Sequence, residues 1–225
     1  MYLCVVKYLS VMNIKGIITG DIVNSRSIQS SERGILLDII HMVAEDLKSI
    51  STLQLEIFRG DSFQMVVDNP AEALKVAILL RAGLMSKTPE NYRKPWDARL
   101  SLGVGAISYQ ADKVVVSDGE AFQISGHEFD EIGKRRLTVK TKWDTINAEL
   151  KVSTAFADDI ISGWSYSQAQ AVYLTLLYKK TQKEIAVQLN KTAQNISKLL
   201  GVAKEELICN YLDRYNLLIT EKIHK

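Results

Sequence analysis

The chain reads as an α+β protein: a ferredoxin-like βαββαβ domain over residues 12–142, a connecting helix over 143–163, and an all-α domain over 164–225. Three observations predict this. Short β-branched runs alternate with apolar residues at three- and four-residue steps, in the order strand, helix, strand, strand, helix, strand. From Trp164 onward the periodicity is helical throughout. The charge also divides there: 9 Lys and Arg against 5 Asp and Glu leave +4 on residues 164–225, whereas 19 against 21 leave −2 on the rest.

The totals bound the rest. With 225 residues and 47% hydrophobic content, the chain can bury a substantial core. Three prolines, 12 glycines and no biased tract argue against long disordered segments. The basic tail fits a nucleic-acid partner and equally an ordinary solvated surface. Cys4 and Cys209 lie at opposite ends without His or Cys at zinc spacing, so neither a disulfide nor a zinc site is expected. Residues 1–11 are apolar but broken by Lys7, with no basic start and no cleavage site, which argues against a signal peptide. Met12, just before the first strong strand, is an alternative start to Met1. No apolar run reaches membrane-spanning length, and a cytoplasmic protein without membrane contact is expected.

The elements follow in order. Residues 14–23 are nearly uninterrupted apolar and β-branched, as in a buried strand. Asn24-Ser25-Arg26-Ser27 is a polar loop, and Ser30 or Ser31 can cap a helix carrying Ile35, Leu36, Ile39, Ile40, Val43 and Leu47. Residues 53–58 and 62–67 read as a hairpin turning on Arg59-Gly60-Asp61. Asn69-Pro70 opens a helix that continues past Leu84. Residues 98–108 form a strand, with 113–116 as a short partner. Asp118 can cap a helix from Gly119 to about Ile132. A short strand over 136–139 and a helix from Trp143 to Ile161, ending at Gly163, complete this part.

On the split βαβ plan the first crossover leaves a gap that the hairpin fills with an antiparallel third strand. The end of the first strand then lies beside the hairpin turn. That brings Asp21 and Asp61, 40 residues apart in the chain, to one sheet edge. Paired carboxylates repel unless a cation sits between them. Oxygen-only ligands favour magnesium, calcium or manganese. The glycine before each Asp permits close approach of a backbone or a phosphate. The helix start after Asp21, together with Arg26, suits a phosphate, so the set describes a metal–nucleoside triphosphate site. A plain pair of turn aspartates fits the same pattern, since Gly-Asp is common in turns.

These residues resemble known families. Asp21-Ile22 and the hairpin Arg59-Gly60-Asp61-Ser62-Phe63 look like the class III nucleotidyl cyclase and GGDEF palm folds. There, two such aspartates hold two magnesium ions and an apolar residue follows the first. The resemblance implies a magnesium or manganese set of Asp21, Ile22 and Asp61. The nearer resemblance is to the SatD family of bacterial proteins, through residues 18–26, the hairpin Arg59-Gly60-Asp61-Ser62-Phe63-Gln64, and Asp118-Gly119-Glu120-Ala121-Phe122. Cyclases also carry an Asn and, one helical turn on, an Arg. Here Gln123 and His127 hold those places, and His127 lacks a guanidinium fork. The implied nucleotide set is Asn24, Ser25, Arg26, Gln123 and His127, with binding better preserved than cyclisation. His127 also reads as a surface helix residue.

Residues 165–177 form a helix with Ala169, Val172, Tyr173, Leu176 and Leu177 inward. Thr181 and Glu184 form a capping box, and Asn190 takes a tight-turn place that tolerates a left-handed residue. Thr192 to Leu200 is the next helix, closed by Gly201. The pattern resembles the helix-turn-helix of bacterial DNA-binding proteins, with Asn190 where Gly is usual. In that reading Thr192, Gln194, Asn195 and Lys198 enter the major groove, and Lys191 and Lys198 meet phosphates of double-stranded DNA. A three-helix packing unit without DNA fits too. The last helix carries Leu207, Ile208, Tyr211, Leu212, Tyr215 and Leu218 on one stripe, closing the domain or pairing two copies as a homodimer.

The main expectation is a DNA-binding regulator whose larger domain binds a divalent metal and a nucleotide. The alternative is a metal-dependent enzyme acting on a nucleoside triphosphate in the manner of nucleotidyl cyclases. A scaffold whose two sites have decayed is a third reading.

Overall fold

A computed structural model describes residues 13–58, 60–108, 114 and 118–224. Five strands, β1 Ile14–Ile22, β2 Leu53–Phe58, β3 Ser62–Val67, β4 Ala98–Ala106 and β5 Leu137–Thr141, form one sheet in the order β2-β3-β1-β4-β5. β1 lies between β3 and β4 and is antiparallel to both; β5 runs parallel to β4 at the far side. Together with α1 Arg33–Leu47 and α2 Ala73–Lys87, the first four strands follow the expected βαββαβ plan. Helix α3 Glu120–Asp130 then crosses over to β5 as an addition to that plan. Five further helices follow: α4 Asp144–Ser162, α5 Tyr166–Tyr178, α6 Gln182–Gln188, α7 Ala193–Val202 and α8 Glu205–Ile223.

Strand alternation sorts β1 into two faces. Ile18 and Ile22 join the large cluster under α1 and α2, which includes Leu100, Leu102, Phe63 and Met65. Ile17 joins a smaller one with Ala121 and Phe122 of α3. Asp21 shares the alternation of Ile17 and Thr19 and therefore belongs to the α3 face. Each fully buried Ile, Leu or Phe contributes roughly 1.5–3 kcal/mol relative to exposure.

Twelve residues of α2, from Ala73 to Met85, are buried. A helix that is apolar all round has neighbours all round, and α2 has the sheet on one side with α1 and α5 on others. The buried cluster accordingly runs without a break from Ile18 through α2 to Ile219 of α8. Polar clasps fix the C-terminal helices. Tyr215 Oη donates to the Pro70 carbonyl at 2.8 Å, Trp164 Nε1 to the Ala203 carbonyl at 2.9 Å, and Tyr173 Oη to Asp46 at 2.9 Å.

Several local expectations need correction. Ile35 and Leu207 are exposed rather than in the apolar stripe. Ser30 and Ser31 lie in a short 3-10 turn, and no side chain caps α1. Asp118 accepts the Gly119 N–H and does not cap α3. Helix α7 runs through Gly201 to Val202, and the chain turns at Lys204 with φ 56°. The Thr181–Glu184 capping box is present, and Asn190 is left-handed at φ 50°. Arg59, residues 1–12 with Cys4, and the strand expected over 113–116 (Val114 aside) fall outside the described residues.

Candidate functional site

The site is built where β1 ends. Asp21 pairs in register with Ser62 on one side and Arg99 on the other. One residue on, the Ile22 N–H donates to the Asp61 carbonyl at 3.1 Å, stitching the hairpin turn to the strand end. Gly60 makes that turn with φ 77°, where a side chain would be strained. Gly20 permits the close approach of a backbone: a Cβ there would lie 2.9 Å from the Arg99 carbonyl, and 2.6 Å from Leu100 and 2.8 Å from Phe63 on the α1–α2 side.

After β1 the chain turns at Asn24, φ 55°, and the Ser25 hydroxyl donates to Asp61 Oδ2 at 2.5 Å. The Val23 N–H donates to the Asp97 carbonyl at 2.8 Å, which ties this loop to the start of β4. Asp21, Ile22, Asn24, Ser25, Arg26, Ser27, Asp61 and Arg99 line one open cleft of about 530 Å³. Six of the residues anticipated for metal and nucleotide thus converge: Asp21, Ile22, Asp61, Asn24, Ser25 and Arg26.

Arg99 was not anticipated. Its Nε donates to Asp21 Oδ1 at 2.8 Å and its Nη2 donates to Oδ2, so both carboxylate oxygens are held by one guanidinium. The guanidinium lies 5.8 Å from the centre of the Phe129 ring of α3. Hydrogen bonding to Asp21 raises the Arg99 pKa further, against the opposing effect of partial burial. The oxygen-only donors of Asp21 and Asp61 fit a hard divalent cation by type. At Asp21, however, the positive partner is already the guanidinium.

Gln123 and His127 are exposed on α3 and do not line this cleft. His127 lies 3.8 Å from Glu131, and those two with Glu128 bring ligand atoms within 4.8 Å of one another. Glu128 is engaged there by Lys140 at 2.9 Å.

Lys191, Thr192, Gln194, Asn195 and Lys198 are all exposed. The Thr192 hydroxyl accepts the Asn195 N–H at 3.1 Å and so serves as the cap of α7. Gln194, Asn195 and Lys198 border a shallow groove with Gln168, Leu199 and Val202. Among the described residues no helix is long and apolar enough to cross a membrane.

The fold and site together are those of an α+β protein with an acidic strand end beside an acidic hairpin turn. Solved structures similar to the chain include nucleotidyl cyclases. A bacterial light-regulated adenylyl cyclase shares 14% identity over 57% of this chain and 76% of that chain, with a TM-score of 0.44. The monomeric guanylyl cyclase domain of the RhoGC fusion protein from the aquatic fungus Blastocladiella emersonii shares 14% over 53% and 75%, TM-score 0.43. The active GGEEF domain of a diguanylate cyclase from Vibrio cholerae shares 12% over 59% and 85%, TM-score 0.42. At such identities and TM-scores the likeness gives no residue a role. No protein-family model matches the sequence, and no curated protein does.

Proposed function

We propose that the cleft at the end of β1 binds a nucleoside triphosphate together with a divalent cation. One observation carries this reading: Asp21 sits in register beside the turn that bears Asp61, in one cleft with Arg26 and Arg99. Two carboxylates and two guanidiniums converge there, with Ile22 as the one large apolar residue of the lining, the chemistry of a metal–polyphosphate rather than of a neutral ligand. Asp21 and Asp61 would hold the cation, whose role when bound is to neutralise phosphate oxygens. Arg26 and Arg99 meet the phosphates, and Ser25 holds the Asp61 carboxylate in place. Turnover of the nucleotidyl cyclase kind is the enzymatic form of this reading. In that form Gln123 stands at the Asn place and His127, without a guanidinium fork, at the Arg place, and neither lines the cleft, so the reading proposed is binding.

The test is thermal unfolding with each triphosphate plus manganese. Ligand at 100 times its Kd stabilises by about 2.7 kcal/mol. Such stabilisation is expected in the native protein and lost in Asp21→Asn and Asp61→Asn. No stabilisation by any triphosphate refutes the reading. Product analysis of the same mixtures separates a binder from an enzyme.

A second reading, duplex DNA binding by α6 and α7, is favoured by the left-handed turn at Asn190 and the exposed row of Gln194, Asn195 and Lys198. It predicts salt-dependent duplex binding lost when all three are replaced by Ala. Unchanged binding in that variant rules out this surface.

A further inference from the structure

We infer that Arg99 is a built-in counter-ion that keeps Asp21 closed to a free divalent cation and yields it to a cation arriving with a polyphosphate. The inference rests on the nucleotide reading above and adds the order in which that cleft accepts its ligands. The two carboxylates of the cleft are answered differently. Asp61 holds a neutral hydroxyl, from Ser25 at 2.5 Å, whereas Asp21 holds a guanidinium through both oxygens. A hydroxyl gives way to a metal at small cost. A two-pronged charge-assisted pair does not, and the site is sheltered enough for that pair to matter, with Asp21 19% and Arg99 39% exposed. Counting Arg26, the cleft balances two negative charges with two positive ones, so a bare divalent ion finds little net field to draw it in.

The same geometry gives Arg99 somewhere to go. Its guanidinium is braced by the Phe129 ring and borders the open cleft, and it takes no part in the buried ion cluster formed by Arg81, Asp97 and Asp158. A cation that displaces it alone leaves a partly desolvated guanidinium without an anion. A triphosphate entering with the cation supplies planar-compatible oxygens for that guanidinium in the same step. Cation and polyphosphate therefore strengthen each other's binding, and by linkage the factor is the same in both directions.

The experiment measures manganese retained with the protein on ultrafiltration, with and without inorganic tripolyphosphate, which carries the phosphate chemistry common to every candidate nucleotide. For the native protein, manganese affinity is expected to rise at least tenfold with tripolyphosphate. Arg99→Met keeps an apolar stem against Phe129. It is expected to bind manganese alone about tenfold more tightly than the native protein, to lose the enhancement, and to lose manganese again when combined with Asp21→Asn. If Arg99→Met fails to fold by circular dichroism, Arg99→Lys replaces it, with a smaller gain in the same direction. Equal manganese affinity in the native protein and the Arg99 variant, abolished by Asp21→Asn, overturns the inference and leaves the nucleotide reading standing. No manganese retained by any form under any condition overturns both.

Discussion

Arg81 and Asp97 form a two-pronged ion pair in the protein interior, with Nε 2.8 Å from Oδ1 and Nη2 2.7 Å from Oδ2 and no part of Arg81 exposed. Arg81 Nη1 also donates to Asp158 of α4 at 2.8 Å, and Arg136 Nη1 reaches Asp97 at 2.9 Å. The cluster balances two guanidiniums against two carboxylates and joins α2, the start of β4, the start of β5 and α4. Arg81→Met leaves Asp97 and Asp158 buried without their main partner. A loss of about 3–5 kcal/mol is predicted in urea unfolding, as for other buried pairs broken on one side. Adding Asp97→Asn and Asp158→Asn should recover part of it. A loss under 1 kcal/mol in the single variant would show that water reaches the cluster.

Ser125 pins α3 to the sheet. Its hydroxyl accepts the Thr19 N–H at 3.1 Å and lies 2.8 Å from Thr19 Oγ1 and 2.9 Å from the Ser101 carbonyl. Ser125→Ala strands these groups under the helix, and about 1–3 kcal/mol should be lost. One strand across, the buried hydroxyls of Ser101 and Thr138 stand in register with each other and have no partner among the described residues. Thr138→Val is therefore predicted to be neutral or stabilising by up to about 1 kcal/mol. Opposite signs for the two variants in one denaturation series are the expected result.

Much of this was legible in the sequence because it follows from local rules. The meeting of Asp21 and Asp61 comes from topology: a hairpin filling a crossover gap has only one place to go. The Thr181–Glu184 box and the left-handed Asn190 come from side-chain chemistry over a few residues. Arg99 was hidden because its importance depends on register. Only when Arg99 is aligned with Asp21 across the β1–β4 ladder does an unremarkable strand arginine become the counter-ion of the site. Arg81 shares the helical spacing of Ala73, Leu74, Ala77 and Ile78 and is buried with them, but helical spacing does not reveal its partners: Asp97 and Asp158 meet it only through the packing of β4 and α4 against α2. The misread Ile35 and Leu207 show the reverse limit: helical periodicity identifies a stripe but not where its edges meet solvent.

Cys209 offers a test of burial at α8. Partial burial, then the hydrogen bond to Glu205, push its thiol up to about 12 from an ordinary value of 9.0. That leaves far less thiolate near pH 8 than in a free cysteine. In a Cys4→Ser background, which leaves Cys209 as the sole thiol, the native protein should react with a disulfide reagent more slowly than the urea-unfolded chain. Equal rates would mean that α8 opens readily. The sign for stability follows. The neutral thiol is favoured in the folded state, so its contribution is complete below pH 9 and fades as pH rises towards 12.

The ion pair of Glu149 and Arg214 provides the contrasting surface case. Arg214 Nε and Nη2 lie 2.7 and 3.1 Å from the Glu149 carboxylate and tie α8 to α4, but both side chains are about half exposed. The hydrogen bonds from Arg214 hold Glu149 below the ordinary 4.5, with its partial desolvation opposing. A depressed carboxylate stabilises the fold above its unfolded value, and that stability is lost as pH falls through the lowered one. Glu149→Gln should therefore lower Tm slightly at neutral pH, and the gap to the native protein should close below pH 4.5. Because the pair is exposed, the gap should also shrink in 1 M salt, where screening length falls to about 3 Å. The loss in Arg81→Met should not, since no solvent ion reaches that pair. A salt-insensitive gap at Glu149 would mean that the α4–α8 seam is drier than its exposure indicates.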